Sequence, residues 1–357
     1  MTERNARLLG GLSKDDALIE IGPSFAPVAP KRDGWRTVVV DHASRDELVA
    51  KYTGHPHVDP AQIEEVDRIW TGGPLDALFP AAEHGTYRAL LASHVIEHIP
   101  DPISFFALTA RLLHPTEGVL SLAVPDKRWC FDLLKPPSTT GQVLAAHRAR
   151  ATRHAPAALF DHVAYYAEDA GRPSWGREPL PGLRLMASLE LAKANFDAWS
   201  DAPDSPYIDC HAWHFTPASF ELLILELGAL GLVDWHVDWI APQPAVEFLV
   251  HLRRGVRRFA SPEAREAERL ALLRRMLLEL REQTDWVPGV EAPAPVPNGV
   301  EARLDAIDAR LRHIADATLP EIALMAAQAR QAMRPARALW RRVLPLRQVV
   351  ARLRGRS

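Results

Sequence analysis

The sequence predicts an α/β fold: a doubly wound, mostly parallel sheet with a terminal antiparallel strand pair, an insertion and a helical C-terminal appendage. Three observations carry that prediction. Strand-like and helix-like patterns alternate through the first third of the chain. A helix pattern led by Thr216 and Pro217 is followed by two strand-like runs. Beyond residue 258 the chain turns charged, then proline-rich, then heptad-patterned.

The elements follow in order. ALIEIG (residues 17–22) is a short apolar run ending in a loop of Gly, Pro and Ser, and RTVVVDHA (36–43) is β-branched and closes on an acid. YRALLASHVIEH starts as a strand at Tyr87 and turns polar at Ser93. A helical stretch over 103–113 leads through HPTEG into GVLSLAVPD (118–126), a second buried strand. Strand, helix, strand in this order implies parallel βαβ units. Residues 127–209 lose the rhythm and become rich in His, Pro and aromatics, as an insertion would. In TPASFELLILELGALGL, Thr216 is placed as N-cap, Pro217 at the first helical position and Gly231 at the end. VDWHVDWI and AVEFLVHLRR then read as the closing strand pair, so the main domain spans 1–258.

Residues 259–285 are charged and helical in pattern, and 286–298 form a Pro-rich linker. In the remainder, 299–357, Val300, Leu304, Ile307, Leu311 and Ile314 are spaced 4, 3, 4 and 3. That is an a/d seam of about two heptads, enough to suggest a coiled coil and a homo-oligomer through the C-terminal helices.

Charge divides the chain in the same place. The 357 residues hold 42 Lys+Arg against 45 Asp+Glu, a formal net charge of −3. Residues 322–357 contain nine Arg and no Lys, Asp or Glu, which leaves −12 on the first 321 residues. An acidic body repels phosphate, so nucleic acid is not the expected partner. The basic tail carries an apolar face of Leu339, Val343, Leu346, Val350 and Leu353. It reads either as an interfacial helix touching anionic membrane through 330–357 or as a tail docked on the acidic body. Two cysteines, Cys130 and Cys210, make no disulfide framework. With no signal-peptide core and no 18-residue apolar run, the expected place is the cytoplasm, at most peripheral to the inner face of the membrane.

In an open parallel sheet, ligands bind beyond the carboxyl ends of the strands near the switch point. Glu20, Gly22, Pro23, Ser24 and Ala26 follow the first strand, and Asp41 ends the second. A Gly permits close backbone approach, and an acid at the second strand's end can accept both ribose hydroxyls. Asp41 lies 19 residues after Gly22, close to the interval a nucleoside ligand needs.

ALIEIGPSFAPVAPK, VVVDHASRDELVAKY, IEEVDRIW, LLASHVIEHIPDPI and LAVPDKRWCFD resemble, in order, the motifs of class I S-adenosylmethionine-dependent methyltransferases. The E-I-G-P opening and the V-P-D-K-R segment are similar to a bacterial subgroup encountered with cell-surface glycan enzymes. DHVAYYA, DCHAWHFTPASF and the closing strands also look like that subgroup, so the resemblance covers about 17–254. It implies a Rossmann-like fold, S-adenosylmethionine as cofactor, and methyl transfer to a hydroxyl of a glycan or glycan precursor. Glu20, Gly22 and Ser24 would face the methionine end, Asp41 the ribose and Asp67 the adenine amine; Ser93 and His94 would border the sulfonium and the acceptor. The usual G-x-G-x-G loop is Gly22-Pro23-Ser24-Phe25-Ala26 here, and Ser and Ala tolerate positive φ poorly. A non-catalytic module with the same fold, assembling at a membrane, is the alternative.

HVIEH (His94, Glu97, His98) satisfies a zinc-peptidase pattern, but a strand precedes it and Pro100 stops it, so no metal is expected. Transfer to a hydroxyl needs a base, for which His94, Asp126, His162 and His214 are candidates. Lys127 and Arg128 read as binders of an anionic acceptor group or as a solvated strand end pairing with Asp126 and Asp132. His211 is a further acceptor-binding candidate. Trp129, Trp175, Trp199, Trp213, Trp235 and Trp239 either stack on sugar or fill core.

Overall fold

The computed structural model describes residues 2–290, apart from 56–57, 201, 203–206, 245 and 288–289, together with 304, 306–310 and 312. The chain divides into two compact units, Met1–Glu291 and Ala292–Ser357. Val300 and Ile314 of the heptad seam, the side chain of Leu311 and the whole basic tail lie outside the described residues. Leu304 and Ile307, which are described, are exposed.

The first unit is built on seven strands: β1 (Ala17–Ile21), β2 (Arg36–Asp41), β3 (Arg68–Ile69), β4 (Ala89–Ser93), β5 (Val119–Pro125), β8 (Trp235–Pro242) and β9 (Glu247–Arg254). Their order across the sheet is β3-β2-β1-β4-β5-β9-β8. The first five run parallel, while β9 pairs antiparallel to β5 and β8 antiparallel to β9. This is a Rossmann-like doubly wound sheet whose order reverses between β1 and β4. The carboxyl ends of β1, β2, β4 and β5 therefore open on one edge, from which the segments carrying Gly22, Ser24, Asp41, His94 and Asp126 leave.

The parallel strands are apolar on both faces because helices cover both. All seven residues of β5 are buried. One face packs with α3 (Pro102–Leu112) and α7 (Pro217–Ala229) through Phe106, Phe220, Leu223 and Leu227. The other packs with α1 (Glu3–Leu9) through Leu8, Leu9, Leu18 and Leu249. Helix α2 (Arg45–Tyr52) follows β2 and opens with a capping box of Ser44 and Glu47. Asp101 caps α3, and Thr216 caps α7 with Pro217 in its first turn and Gly231 just beyond its end.

The segment between β5 and α7 holds α4 (Thr140–Arg148), α5 (Pro156–Ala164), the ribbon β6 (Ala167–Asp169) with β7 (Leu183–Leu185), and α6 (Leu189–Ala198). Helix α8 (Pro262–Thr284) packs on α7, with Leu272 buried against Leu222 and Leu225.

That last helix corrects the expectation for Lys127 and Arg128. Arg128 is 2% exposed; its guanidinium is bidentate on Asp126 at 2.8 and 2.6 Å and reaches Glu282 of α8 at 2.7 Å. Lys127 donates to the Leu133 carbonyl at 2.8 Å and to Gln283 of α8 at 2.9 Å. Burial pushes the Lys127 ammonium down to about 8. Neither cation faces an acceptor, and Asp126, held by Arg128, is no base. The helix that covers them begins more than 130 residues downstream, so a strand end that reads as solvated is interior. Four tryptophans are core as well: Trp129 and Trp175 pack in one cluster, Trp213 and Trp235 in another.

Removing one partner from a buried pair strands the other, at a cost of about 3–5 kcal/mol. Arg128→Met is therefore expected to lower unfolding stability by about that much in urea denaturation. A variant as stable as the wild type would contradict the structural role.

Candidate active site

The loop after β1 turns back by taking left-handed backbone at two positions, Gly22 (φ 64°) and Ser24 (φ 45°). Ala26 does not need it, so one of the two glycine replacements is free of strain. At Gly22 an added Cβ would stand 3.4 Å from a Val95 methyl, close to the loop after β4. Ser24 in αL costs about 1–2 kcal/mol, and such strain gathers at ligand sites. Its N–H donates to Asp41 at 3.2 Å, while its hydroxyl is buried without a hydrogen-bond partner. Asp41 is 3% exposed and also accepts from the His42 N–H at 2.8 Å.

One expected contact is corrected. Glu20 accepts from the N–H groups of Val28 and Ala29 at 2.6 and 3.1 Å. Both its oxygens are thus engaged in shaping the loop rather than facing a methionine end. Burial raises its pKa to about 7 despite those two bonds. Asp67 accepts through Oδ2 from the Val39 N–H at 2.7 Å and from the Lys31 ammonium at 2.5 Å, which fastens the edge of β2.

At the end of β4, His94 is the second strained residue (φ 54°). Its Nε2 is 3.0 Å from Glu247, and Arg4 forms an ion pair with the same carboxylate while donating to the Ser93 hydroxyl. Burial works to lower the His94 pKa, but the Glu247 hydrogen bond and the charges of Glu97 and Glu247 outweigh it and raise it. Burial would raise Glu247, yet His94 and Arg4 hold it down at about 2. Arg4 and Glu247 lie 243 residues apart, and no local motif marks either.

A second group of residues gathers beyond His94. Ile96–His98 is a single 3-10 turn, not the helix that would present His94 and His98 together. The Glu97 carbonyl accepts from the N–H groups of Ala212 and Trp213 at 2.9 and 3.3 Å, which brings the segment before α7 against this turn. His98 Nδ1 lies 2.9 Å from Asp209, and His211 Nδ1 lies 2.6 Å from Asp132. Asp132 also binds Lys135 at 2.6 Å. Burial would raise the Asp132 pKa, but His211 and Lys135 hold it far below the carboxylate range.

Phe131 stacks on Tyr166 with ring centroids 4.5 Å apart, and the rings of His162 and His211 border it. Burial, with Lys135 and His211 beside it, pushes His162 down to about 4. Its Nδ1 is buried with no hydrogen-bond partner. His214 is pushed down to about 3 by burial, and its Nε2 lies 3.1 Å from the His211 carbonyl.

The structure thus brings Gly22, Ser24, Asp41, Ser93 and His94 to one edge of the sheet and sets His162, His211 and His214 beyond it. Residues 3–172 match the family model of a methyltransferase domain. The matched segment, a little under half of the chain, holds the five parallel strands, the β1 loop and Asp41, and supports an enzyme of that type. No curated protein matches the sequence. Among solved structures, a Rhodobacter sphaeroides protein described as a Zn-dependent alcohol dehydrogenase is 12% identical, covers 71% of this chain and 90% of its own, and has a TM-score of 0.37. An S-adenosylmethionine-dependent methyltransferase from Listeria monocytogenes is 11% identical over 70% of this chain and 96% of its own, with a TM-score of 0.36. One from Methanosarcina mazei is 11% identical over 72% and 99%, with a TM-score of 0.34. Similarities this distant carry no argument about chemistry.

The His94–Glu247 pair makes stability depend on pH with a definite sign. Glu247, depressed from 4.5, contributes above about pH 4.5 and loses that contribution as pH falls toward 2. His94, raised from 6.5, contributes fully below about pH 6.5 and loses it as pH climbs through its elevated value. Glu247→Gln is expected to lower the His94 pKa in an NMR titration and to flatten stability across that upper window. An unmoved His94 titration would contradict the pairing.

Proposed function

We propose that this protein is an S-adenosylmethionine-dependent methyltransferase acting on a hydroxyl of a surface glycan or glycan precursor. The observation that carries the cofactor is the β1 loop: a buried, unpartnered Ser24 hydroxyl beside a buried Asp41, on backbone bent left-handed at two positions. An orphaned polar atom in such a loop calls for a ligand. Asp41 would hold the ribose hydroxyls, Ser24 and the Gly22 backbone the methionine portion, and Ser93 and His94 the border toward the acceptor. When bound, the cofactor supplies an electrophilic methyl group on a sulfonium.

The chain's own part is to hold an acceptor oxygen in line and remove its proton. Of the four candidate bases, His162 is the one with a buried ring nitrogen, Nδ1, that has no hydrogen-bond partner. His94 is tied to Glu247, Asp126 to Arg128, and His214 to a backbone carbonyl. A neutral His162 accepts the hydroxyl proton at Nδ1, while Phe131 and Tyr166 exclude water around it. The resemblance to glycan-associated enzymes supports the acceptor class, and the aromatic rings beside His162 and His211 suit a sugar face.

The test is isothermal titration of S-adenosylmethionine and its demethylated product into the full-length protein and into Asp41→Ala. Binding to the wild type, lost in the folded variant, is expected. No heat at millimolar ligand would overturn the reading in favour of a non-catalytic module.

The nine arginines of 322–357 support attachment at the inner face of an anionic membrane. No helix among the described residues is long and apolar enough to cross one. Full-length protein should co-sediment with anionic vesicles and a 1–321 truncation should not; equal partitioning would contradict attachment through the tail.

A further inference from the structure

The most demanding feature left unused is Glu97. Its side chain is 1% exposed, and neither carboxylate oxygen has a hydrogen-bond partner. Buried carboxylates are otherwise bonded, because stripping one of water costs several kcal/mol. What surrounds it is imidazole nitrogen. His94 Nδ1 is 3.7 Å, His98 Nε2 3.8 Å and His211 Nε2 3.9 Å from Glu97 Oε1, all too far for hydrogen bonds. His94 Nε2 is already held by Glu247, and among the described residues only His98 and His211 form a close group with Glu97. The three ligand atoms lie within 4.8 Å of one another.

We propose that Glu97, His98 and His211 bind a divalent transition-metal ion of the zinc class. The two histidines are already set for it. Each has Nδ1 against a carboxylate, His98 on Asp209 and His211 on Asp132, which leaves each Nε2 turned toward Glu97. Carboxylate–histidine–metal relays fix ring orientation and raise ligand basicity in this way. A metal–ligand length of about 2.0–2.2 Å puts the ligand atoms of a tetrahedral site roughly 3.4 Å apart. Inward movements of a few tenths of an ångström therefore close the site on an ion. The clamp of the Glu97 carbonyl on Ala212 and Trp213 holds the two contributing segments together.

Two histidines and one carboxylate leave coordination positions open, as catalytic zinc sites do. Resting on the methyltransferase reading, the ion sits on the acceptor side. There it takes the acceptor oxygen as a further ligand and lowers the pKa of its hydroxyl, whose proton passes to His162 Nδ1. Metal binding itself stands apart from that reading.

The experiment is titration of zinc chloride, and separately manganese chloride, into untagged full-length protein dialysed against chelator. One equivalent of zinc bound with sub-micromolar affinity is expected. Glu97→Gln, which breaks no hydrogen bond, and His211→Ala should each weaken it at least about a hundredfold, with circular dichroism unchanged. Should His211→Ala not fold, His98→Ala takes its place with the same expectation. No tight zinc equivalent, or tight binding that survives Glu97→Gln, overturns the proposal. Zinc binding without S-adenosylmethionine binding would sink the functional reading and leave the metal site standing.

Discussion

A carboxylate sealed from water with nothing to bond to is the constraint around which the turn beyond β4 is organised. Glu97 stands at the end of the switch-point strand β4, where the chain has just passed through the left-handed His94. Its backbone carbonyl gathers the segment before α7, its side chain faces two imidazoles, and both imidazoles are held from behind by Asp132 and Asp209. Asp132 is neutralised in turn by Lys135. Low dielectric makes each of these links strong and any gap costly. The network is consistent at every position except its centre.

The loop after β1 obeys a different logic. There the sheet supplies acids and a bent loop, and the strain at Ser24 is local. Glu20 props the loop from beneath, Asp41 pins its tip, and Asp67 ties the β2 edge to Lys31. Three carboxylates thus serve backbone N–H groups, and Asp41 is the one set beside an unpartnered hydroxyl. Arg4 and Glu247 bind Ser93 and His94 at the end of β4.

How much of this was legible depended on distance along the chain. Four of the five parallel strands, the closing pair and the cap of α7 could be read because each is encoded within a dozen residues. So could Asp41 and the β1 loop, whose spacing reflects one strand–turn unit. The carboxylate–histidine relays were not, since 79 residues separate Asp132 from His211 and 111 separate His98 from Asp209. Glu97 was visible only inside the HVIEH pattern, which could not show that His211, from before α7, also lies beside it. Lys127 and Arg128 misled for the same reason, because α8 supplies their partners from across the fold. Glu20 looked like a ligand residue because an acid serving backbone and an acid serving a ligand are identical letters.

Glu97 is poorly satisfied by the protein alone, and the proposed ion would complete it. Thermal unfolding of chelator-treated wild type and Glu97→Gln, each with and without zinc, is the decisive measurement. The substituted chain should be at least as stable as the wild type without metal, and zinc should raise the midpoint of the wild type only. A Glu97→Gln protein less stable than the metal-free wild type, with neither responding to zinc, would contradict it.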